Sequence, residues 1–395
     1  MTLDLDPVDP AEVGMSAAHL RFADELMQRQ FDEGRSPVLA AIVARHGQVV
    51  FTKTLGDHRP GGPPVTLDSV FPLASNGKPM TAATLVALVE RGRVGFTEPV
   101  VSVLPELAAN DNAEVLLHHL LTHTAGWDDD DLWARVGEVV ATGVFEPPEG
   151  RDVLTHLFLT ALWDVPRVRP AGELMQYSNF HYTLISEIIR RATGGTLHAA
   201  MRELLFDPIG MTASAVIVPP DLLPRVIERP PGIPHAPGHP DTVVAHVDPL
   251  WTQSDDGGSG VHASPVDNLR FLEMIRNGGM AGDERVLSGA AVRAMTSNQI
   301  PGVSAKFGWS TLAEASWGYG FSVGGADPSP RFRGGTTARG ALRHGGAGGI
   351  SSWIDRSLGI TGVYYEVLTD EDASRGPVSW AAERFEDVIT AAARD

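Results

Sequence analysis

Ser75 and Lys78 stand three residues apart in the stretch Phe71-Pro-Leu-Ala-Ser75-Asn-Gly-Lys78-Pro-Met-Thr, and that pair of residue types can carry acyl-transfer chemistry. At helical spacing the two side chains share a face, one turn apart. The lysine nitrogen can then exchange a proton with the hydroxyl, and a helix N-terminus favours negative charge developing on that oxygen. The chain has three lysines, Lys53, Lys78 and Lys306, while arginine supplies the remaining positive charge. Arginine stays protonated in proteins and cannot act as the base, so a lysine at this position carries meaning. Taken alone, the pair also fits a capping serine followed by a solvated lysine.

Other candidate groups lie further along. Tyr177 and Asn179 fall in Pro170-Ala-Gly-Glu-Leu-Met-Gln-Tyr177-Ser-Asn179, a loop entering a helix, where side chains are easily aimed into a cleft. His119 and His123 have the i, i+4 spacing of a helical metal pair. A zinc-peptidase motif would need glutamate where Leu120 stands, and no third ligand is identifiable. Packing and capping roles are therefore expected for these histidines, and no metal. Asp128 to Asp131 reads as a solvated loop. Glycines crowd Gly257 to Gly260 and the run Arg343-His344-Gly345-Gly346-Ala347-Gly-Gly349, where the backbone could approach a ligand closely. The Gly257 run is not a phosphate loop, for want of a Gly-Lys-Ser/Thr ending, and Gly77-Lys78 lacks the upstream glycine. No Gly-x-Ser-x-Gly occurs in the chain, which disfavours an α/β-hydrolase elbow.

These groups need elements to hold them. A serine-capped helix is expected over Ser16 to Glu33, with apolar residues at helical spacing. Val38–Ala44 and Gln48–Thr54 flank a short glycine-containing turn and read as an antiparallel hairpin. The residues after Ser75 read as an amphipathic helix stopping near Arg91-Gly92. Leu132 to Val168 mixes helix and loop, as either a substrate-facing flap or an ordinary helical insertion. Tyr182–Gly194 and Pro265–Arg276 read as helices ended by glycine. Pro219 to Pro249 reads as a long ordered loop. Residues near 319–323, 350–354 and 359–367 are strand-like, and Val378–Ala393 closes the chain as a helix.

Composition narrows the class. A length of 395 residues implies one large composite domain or two domains. The net charge of −18 argues against nucleic acid and anionic membrane surfaces as partners. The absence of cysteine removes disulfides, thiolate nucleophiles and cysteine-based zinc sites. No basic leader followed by an apolar stretch is visible, and no apolar run approaches the ~20 residues of a membrane helix. The expected setting is cytoplasmic.

Taken together, Ser75-Asn-Gly-Lys78, Leu120-Leu-Thr-His-Thr-Ala-Gly126, Tyr177-Ser-Asn179, Pro208-Ile-Gly-Met211, Gly257 to Ala263 and His344-Gly-Gly346 resemble, in the same order, the serine β-lactamase and penicillin-binding-protein superfamily, in its class C β-lactamase and family VIII esterase branch. The resemblance spans roughly residues 16 to 390. It implies an α/β (α+β) fold of the β-lactamase/transpeptidase type, an antiparallel sheet flanked by helices with a mostly helical domain inserted. On that pattern residues 1–75 and 300–395 form the sandwich domain and 76–299 the helical one, with the active site in the cleft between them. It also implies roles: Ser75 as acylated nucleophile, Lys78 as its proton partner, Tyr177 as proton relay, and Asn179 as a group holding substrate or Lys78. His344, Gly345 and Gly346 would line the substrate, and the N–H groups of Ser75 and Ala347 would form an oxyanion hole. Two departures stand out. His344 occupies the place of a lysine that meets substrate carboxylates, and histidine is only partly charged at neutral pH. Gly77 costs helix stability of about 1 kcal/mol relative to alanine and could make room for a substrate.

The expected function is cofactor-free serine acyl-enzyme hydrolysis of a small-molecule ester or amide. Transfer of the acyl group to an amine or alcohol in natural-product biosynthesis is the alternative. A non-catalytic ligand-binding protein of the same fold is the rival of a different class; it predicts loss of a catalytic residue, yet Ser75, Lys78, Tyr177 and Asn179 are all present.

Overall fold

β1 (Val38–Arg45) is buried along its whole length because its alternating side chains serve two different cores. Leu39, Ala41 and Val43 belong to one apolar cluster, whereas Ala40, Ile42 and Ala44 belong to another. A strand covered on both faces needs apolar residues throughout, and this one has them. It turns at His46 and Gly47, with φ of 53° and 81°, into β2 (Gln48–Gly56). Two consecutive residues of positive φ suit the tight hairpin turn.

The computed structural model describes residues 4–110, 112–143, 146–228, 249–307, 310–324, 336, 338–368 and 380–394. In chain order, the elements that position the site are α1 (Ala17–Asp32), β1, β2, α2 (Lys78–Glu90), α3 (Asp129–Thr142) and α4 (Val153–Asp164). Then come β3 (Leu174–Gln176), α5 (Phe180–Thr193), α6 (Pro265–Arg276), β4 (Ser304–Phe307), β5 (Ser322–Val323), β6 (Leu342–Gly346), β7 (Ile350–Asp355), β8 (Ile360–Glu366) and α7 (Trp380–Ala392). The main sheet is antiparallel, in the order β5-β6-β7-β8-β1-β2, so the late strands join the early hairpin through β8 and β1. One face carries α1 and α7, where Leu26, Met27, Phe385 and Ile389 are buried. The other packs on α6 and the helices of the middle of the chain. β3 and β4 pair in parallel in a separate small sheet.

An antiparallel sheet flanked by helices is thus what the chain forms. α1 has the expected Ser16 cap, with the His19 N–H reaching the serine oxygen. α2 corrects the expectation of an amphipathic helix: every residue from Lys78 to Leu88 is buried. Its small residues (Ala82, Ala83, Thr84, Ala87) let neighbours approach on all sides, so it has no solvent face. The glycine-rich run after Arg343 begins as a strand, with Leu342–Gly346 pairing in register with β7. The stretch expected as a long loop, Pro219 to Pro249, lies mostly outside the described residues. No helix among the described residues is long and apolar enough to cross a membrane.

Candidate active site

Ser75 sits in a single 3-10 turn, Ala74–Gly77, that runs straight into α2. Ala74 before it has φ 47°, a left-handed conformation uncommon for a residue with a Cβ. In so tight a turn, residues three apart eclipse, which brings Lys78 Nζ to 2.9 Å from Ser75 Oγ. The same nitrogen donates to Asn179 Oδ1 at 2.7 Å and to the Gly258 carbonyl at 2.6 Å. A neutral amine keeps two hydrogens, enough for those two oxygens, and leaves its lone pair for the Ser75 hydroxyl. Burial pulls the Lys78 pKa down to about 7, against the opposing pull of the Asp256 and Asp129 carboxylates. Lys78 is wholly buried while Ser75 is only partly so, which leaves the hydroxyl approachable and the amine dry.

Tyr177 and Asn179 arrive between β3 and α5. His123, at φ 59°, clamps this segment from both sides of the tyrosine. Its carbonyl accepts the Gln176 N–H at 2.8 Å, and its Nδ1 accepts the Ser178 N–H at 3.2 Å. Its ring also stacks on Tyr177 at 4.5 Å. Burial holds this imidazole neutral, as an accepting nitrogen requires. The Tyr177 hydroxyl is enclosed, and burial pushes its pKa up, with a hydrogen bond to Ser75 opposing in part. It therefore rests as the phenol, and Lys78 is the member of the trio that titrates near neutrality.

The opposite wall is the end of β6. Asn76 Nδ2 donates to the His344 carbonyl at 2.5 Å and to Ser352 Oγ at 2.9 Å, tying the Ser75 turn to the sheet. A Cβ on Gly346 would meet the Leu73 carbonyl at 2.1 Å and the Asn76 nitrogen at 3.2 Å. Only glycine permits that approach, which carries the strand end and the following Ala347 to the rim around Ser75. Gly345 is exposed there. The His344 ring is buried, and burial together with the Lys78 charge lowers its pKa to about 3. Trp317 stands edge-on to His344, Tyr177 and His123, at centroid distances of 5.7, 6.0 and 5.4 Å.

The third wall is the Gly257–Gly260 loop. Asp256 accepts hydrogen bonds from Thr183 Oγ1, the Gly258 and Ser259 N–H groups and Ser259 Oγ at 2.7 to 3.1 Å. That fixes the carbonyl that Lys78 uses.

Ser75, Lys78, Tyr177, Asn179, His344 and Gly346 meet here, with Gly345 and Ala347 flanking Gly346 in the chain. Several expectations about their neighbours change. A Cβ on Gly77 would lie 2.5 Å from Val261 Cβ, so this glycine makes room for Val261 and not for a substrate. Asp128 is the N-cap of α3, and Asp129 is largely buried with its pKa raised by that burial to about 6; the acidic run is a helix start, not a solvated loop. The histidines do have packing and capping roles: His119 Nδ1 accepts the Leu116 N–H at 3.1 Å. No group of three metal-ligating side chains is found among the described residues. Asn76, Asp256 and Trp317 escaped the sequence reading. Asn76 lay inside the motif itself, whereas nothing local marks Asp256 or Trp317.

The chain is similar to known proteins over nearly its whole length. The model of the Beta-lactamase family matches residues 23–379. Esterase EstB of Burkholderia gladioli is 31% identical, over 95% of this chain and 97% of the esterase. Monacolin J acid methylbutanoyltransferase of Aspergillus terreus is 26% identical over 54% of each chain. Among solved structures, a family VIII carboxylesterase superposes with a TM-score of 0.72, at 19% identity, covering 96% of this chain and 99% of its own.

Proposed function

The chain belongs to the Beta-lactamase family and is an enzyme of its serine hydrolase or acyltransferase type, and from that premise we propose that it hydrolyses small carboxylic esters through an acyl-Ser75 intermediate. The observation that carries this reading is the buried Lys78 nitrogen, 2.9 Å from Ser75 Oγ, with a pKa near 7. Neutral Lys78 takes the Oγ proton as Oγ bonds to the substrate carbonyl carbon. The oxyanion so formed accepts from the N–H groups of Ser75 and Ala347, the kind of preorganised donors that usually contribute most to catalysis. Collapse breaks the bond to the alkoxide, which takes the Tyr177 proton, and Tyr177 regains one from Lys78. Water then repeats the sequence on the acyl-serine and frees the acid. Asn179 and Gly258 hold Lys78 in place throughout.

Transfer of the acyl group to an alcohol or amine is the second reading, supported by the similarity to the methylbutanoyltransferase. One experiment tests both: intact mass after brief exposure to p-nitrophenyl butyrate, for wild type and Ser75→Ala, with and without added alcohols and amines. We expect a butyryl adduct on wild type, none on Ser75→Ala, and discharge by water. Discharge only with an added acceptor would favour transfer, and a folded wild-type protein that neither forms an adduct nor releases p-nitrophenol faster than Ser75→Ala would remove the catalytic reading altogether.

A further inference from the structure

We infer that Asn76 is a positioning residue for the oxyanion hole. Its side chain holds the Ser75 turn against the end of β6, so that the N–H groups of Ser75 and Ala347 meet the same substrate oxygen. The inference rests on the acyl-Ser75 reading above and adds to it a residue that acts through backbone geometry.

The partners of the Asn76 amide fix which way round it lies. The side chain is buried, and its Nδ2 stands 2.5 Å from the His344 carbonyl oxygen and 2.9 Å from Ser352 Oγ. A carbonyl can only accept, so the NH2 end faces β6 and β7, and both its hydrogens are used there. Oδ1 therefore faces α6, where Asn268 Nδ2 donates to it at 2.9 Å. The second hydrogen of that nitrogen goes to the Tyr365 hydroxyl on β8, at 2.6 Å. One carbonyl of β6 thus orients a chain of buried side chains that draws on α6, β7 and β8 and ends at the residue next to Ser75. No member of it is charged near neutrality, since amides and alcohols do not titrate there and burial pushes the Tyr365 pKa up.

The two donors of the proposed hole come from separate segments. Ser75 belongs to the Ala74–Gly77 turn, and Ala347 follows the last residue of β6. The bare backbone of Gly346, set against the Leu73 carbonyl and the Asn76 nitrogen, decides how near these segments can come. It does not hold them there. The Asn76 side chain does, because it joins the residue after Ser75 to a carbonyl three residues before Ala347. Hole donors must lie within roughly 2.7–3.1 Å of the oxyanion, so a small widening between the segments is enough to lose one. Lys78 is held differently, by Ser75, Asn179 and the Gly258 carbonyl, while the Asn76 side chain bonds to His344, Ser352 and Asn268. Loss of Asn76 should therefore slacken the hole and leave the base in place.

The test compares p-nitrophenyl butyrate with its thiono analogue, in which sulfur replaces the carbonyl oxygen, on the whole protein. Both release p-nitrophenol, and each kcat/KM is divided by the rate with hydroxide. Sulfur is larger and a poorer hydrogen-bond acceptor, so a working hole favours the oxygen ester; wild type should do so by roughly tenfold or more, given the ~10²- to 10³-fold that one hole donor contributes. Asn76→Ala should lower kcat/KM for the oxygen ester by roughly ten- to a hundredfold and for the thiono ester by no more than about threefold. The pH midpoint of kcat/KM should stay at about 7, because the network bears no charge. Asn268→Ala, which removes the donor that orients Asn76, should shift the ratio of the two esters the same way by less. A general loosening of the fold would slow both esters alike. Equal falls for the two esters, or an unchanged ratio, in whichever variant folds would overturn the inference. So would a wild type without the oxygen preference, even if neither variant folds. Release of p-nitrophenol from the butyrate by wild type and not by Ser75→Ala keeps the two readings apart: with it and an unmoved ratio this inference alone fails, and without it the acyl-enzyme reading fails as well.

Discussion

In the proposed cycle Lys78 must be charged and uncharged in turn, and its surroundings set where the change falls. Burial disfavours the ammonium, while Asp256 and Asp129 favour it, and the balance lies near pH 7. Because in the proposed mechanism the neutral amine accepts the Ser75 proton, kcat/KM for an ester should rise with pH through about 7 and then level off. Tyr177 does not complicate this limb, since burial keeps its phenol protonated well above it. Lys78→Arg keeps the charge but cannot shed its proton, so it should lose the ~10²- to 10⁴-fold that a positioned base contributes and show no recovery at higher pH. A pH–rate profile of wild type beside this variant checks both statements. A flat profile from pH 6 to 8 would mean that Lys78 is already neutral, or that another group is the base.

At the scale of elements, glycines decide how closely the three walls of the site approach. Gly77 admits Val261 from the loop after Gly257–Gly260, and Gly346 admits the Leu73 carbonyl. Gly77→Ala should therefore destabilise the fold by roughly 1–3 kcal/mol through overpacking, despite alanine's better helix propensity, and Gly77→Ala with Val261→Gly, which removes the Cβ that the new methyl would meet, should recover part of the loss. Thermal unfolding of the two variants measures this, and a more stable single variant would show that the loop yields easily. The same contacts explain what could be read beforehand. The Ser75–Lys78 and Tyr177–Asn179 pairs are local motifs, so residue type and spacing revealed them. The close approach of Gly77 to Val261, or of Lys78 to the Gly258 carbonyl, is a tertiary relation with no periodic signal, and the glycines could be noticed but not interpreted. α2 misled for a related reason: its Ala- and Thr-rich run reads as one apolar face, yet tertiary packing covers all of it.

For the molecule as a whole, β8 pairing with β1 closes the sheet, so residues from both ends of the chain support one site. The strand runs of that sheet, β6 with its glycines excepted, were legible from β-rich composition and turn residues; their order was not, because pairing partners more than 300 residues apart leave no local trace. The closed interior also holds titratable groups away from water, and this gives the fold a pH dependence of its own. His181 lies beneath Tyr177's neighbour His123, with the two Nδ1 atoms 3.3 Å apart, and burial lowers its pKa from 6.5 to about 3. The unfolded chain takes up a proton near pH 6.5 that the folded chain refuses until about pH 3. Its contribution to stability is therefore complete above 6.5 and falls progressively as the pH drops towards 3. By pH 5, about 1.5 pH units below the unfolded value, the loss from this one residue amounts to ~2 kcal/mol. His181→Phe removes the proton-binding group at similar volume, so urea unfolding of wild type and variant at pH 7 and pH 5 should show the variant losing ~2 kcal/mol less between the two. His123 keeps the Ser178 N–H at its Nδ1 in that variant, so the tyrosine loop retains its anchor. Equal losses in the two proteins would mean that His181 takes up its proton without unfolding, and that the interior around Tyr177 admits charge.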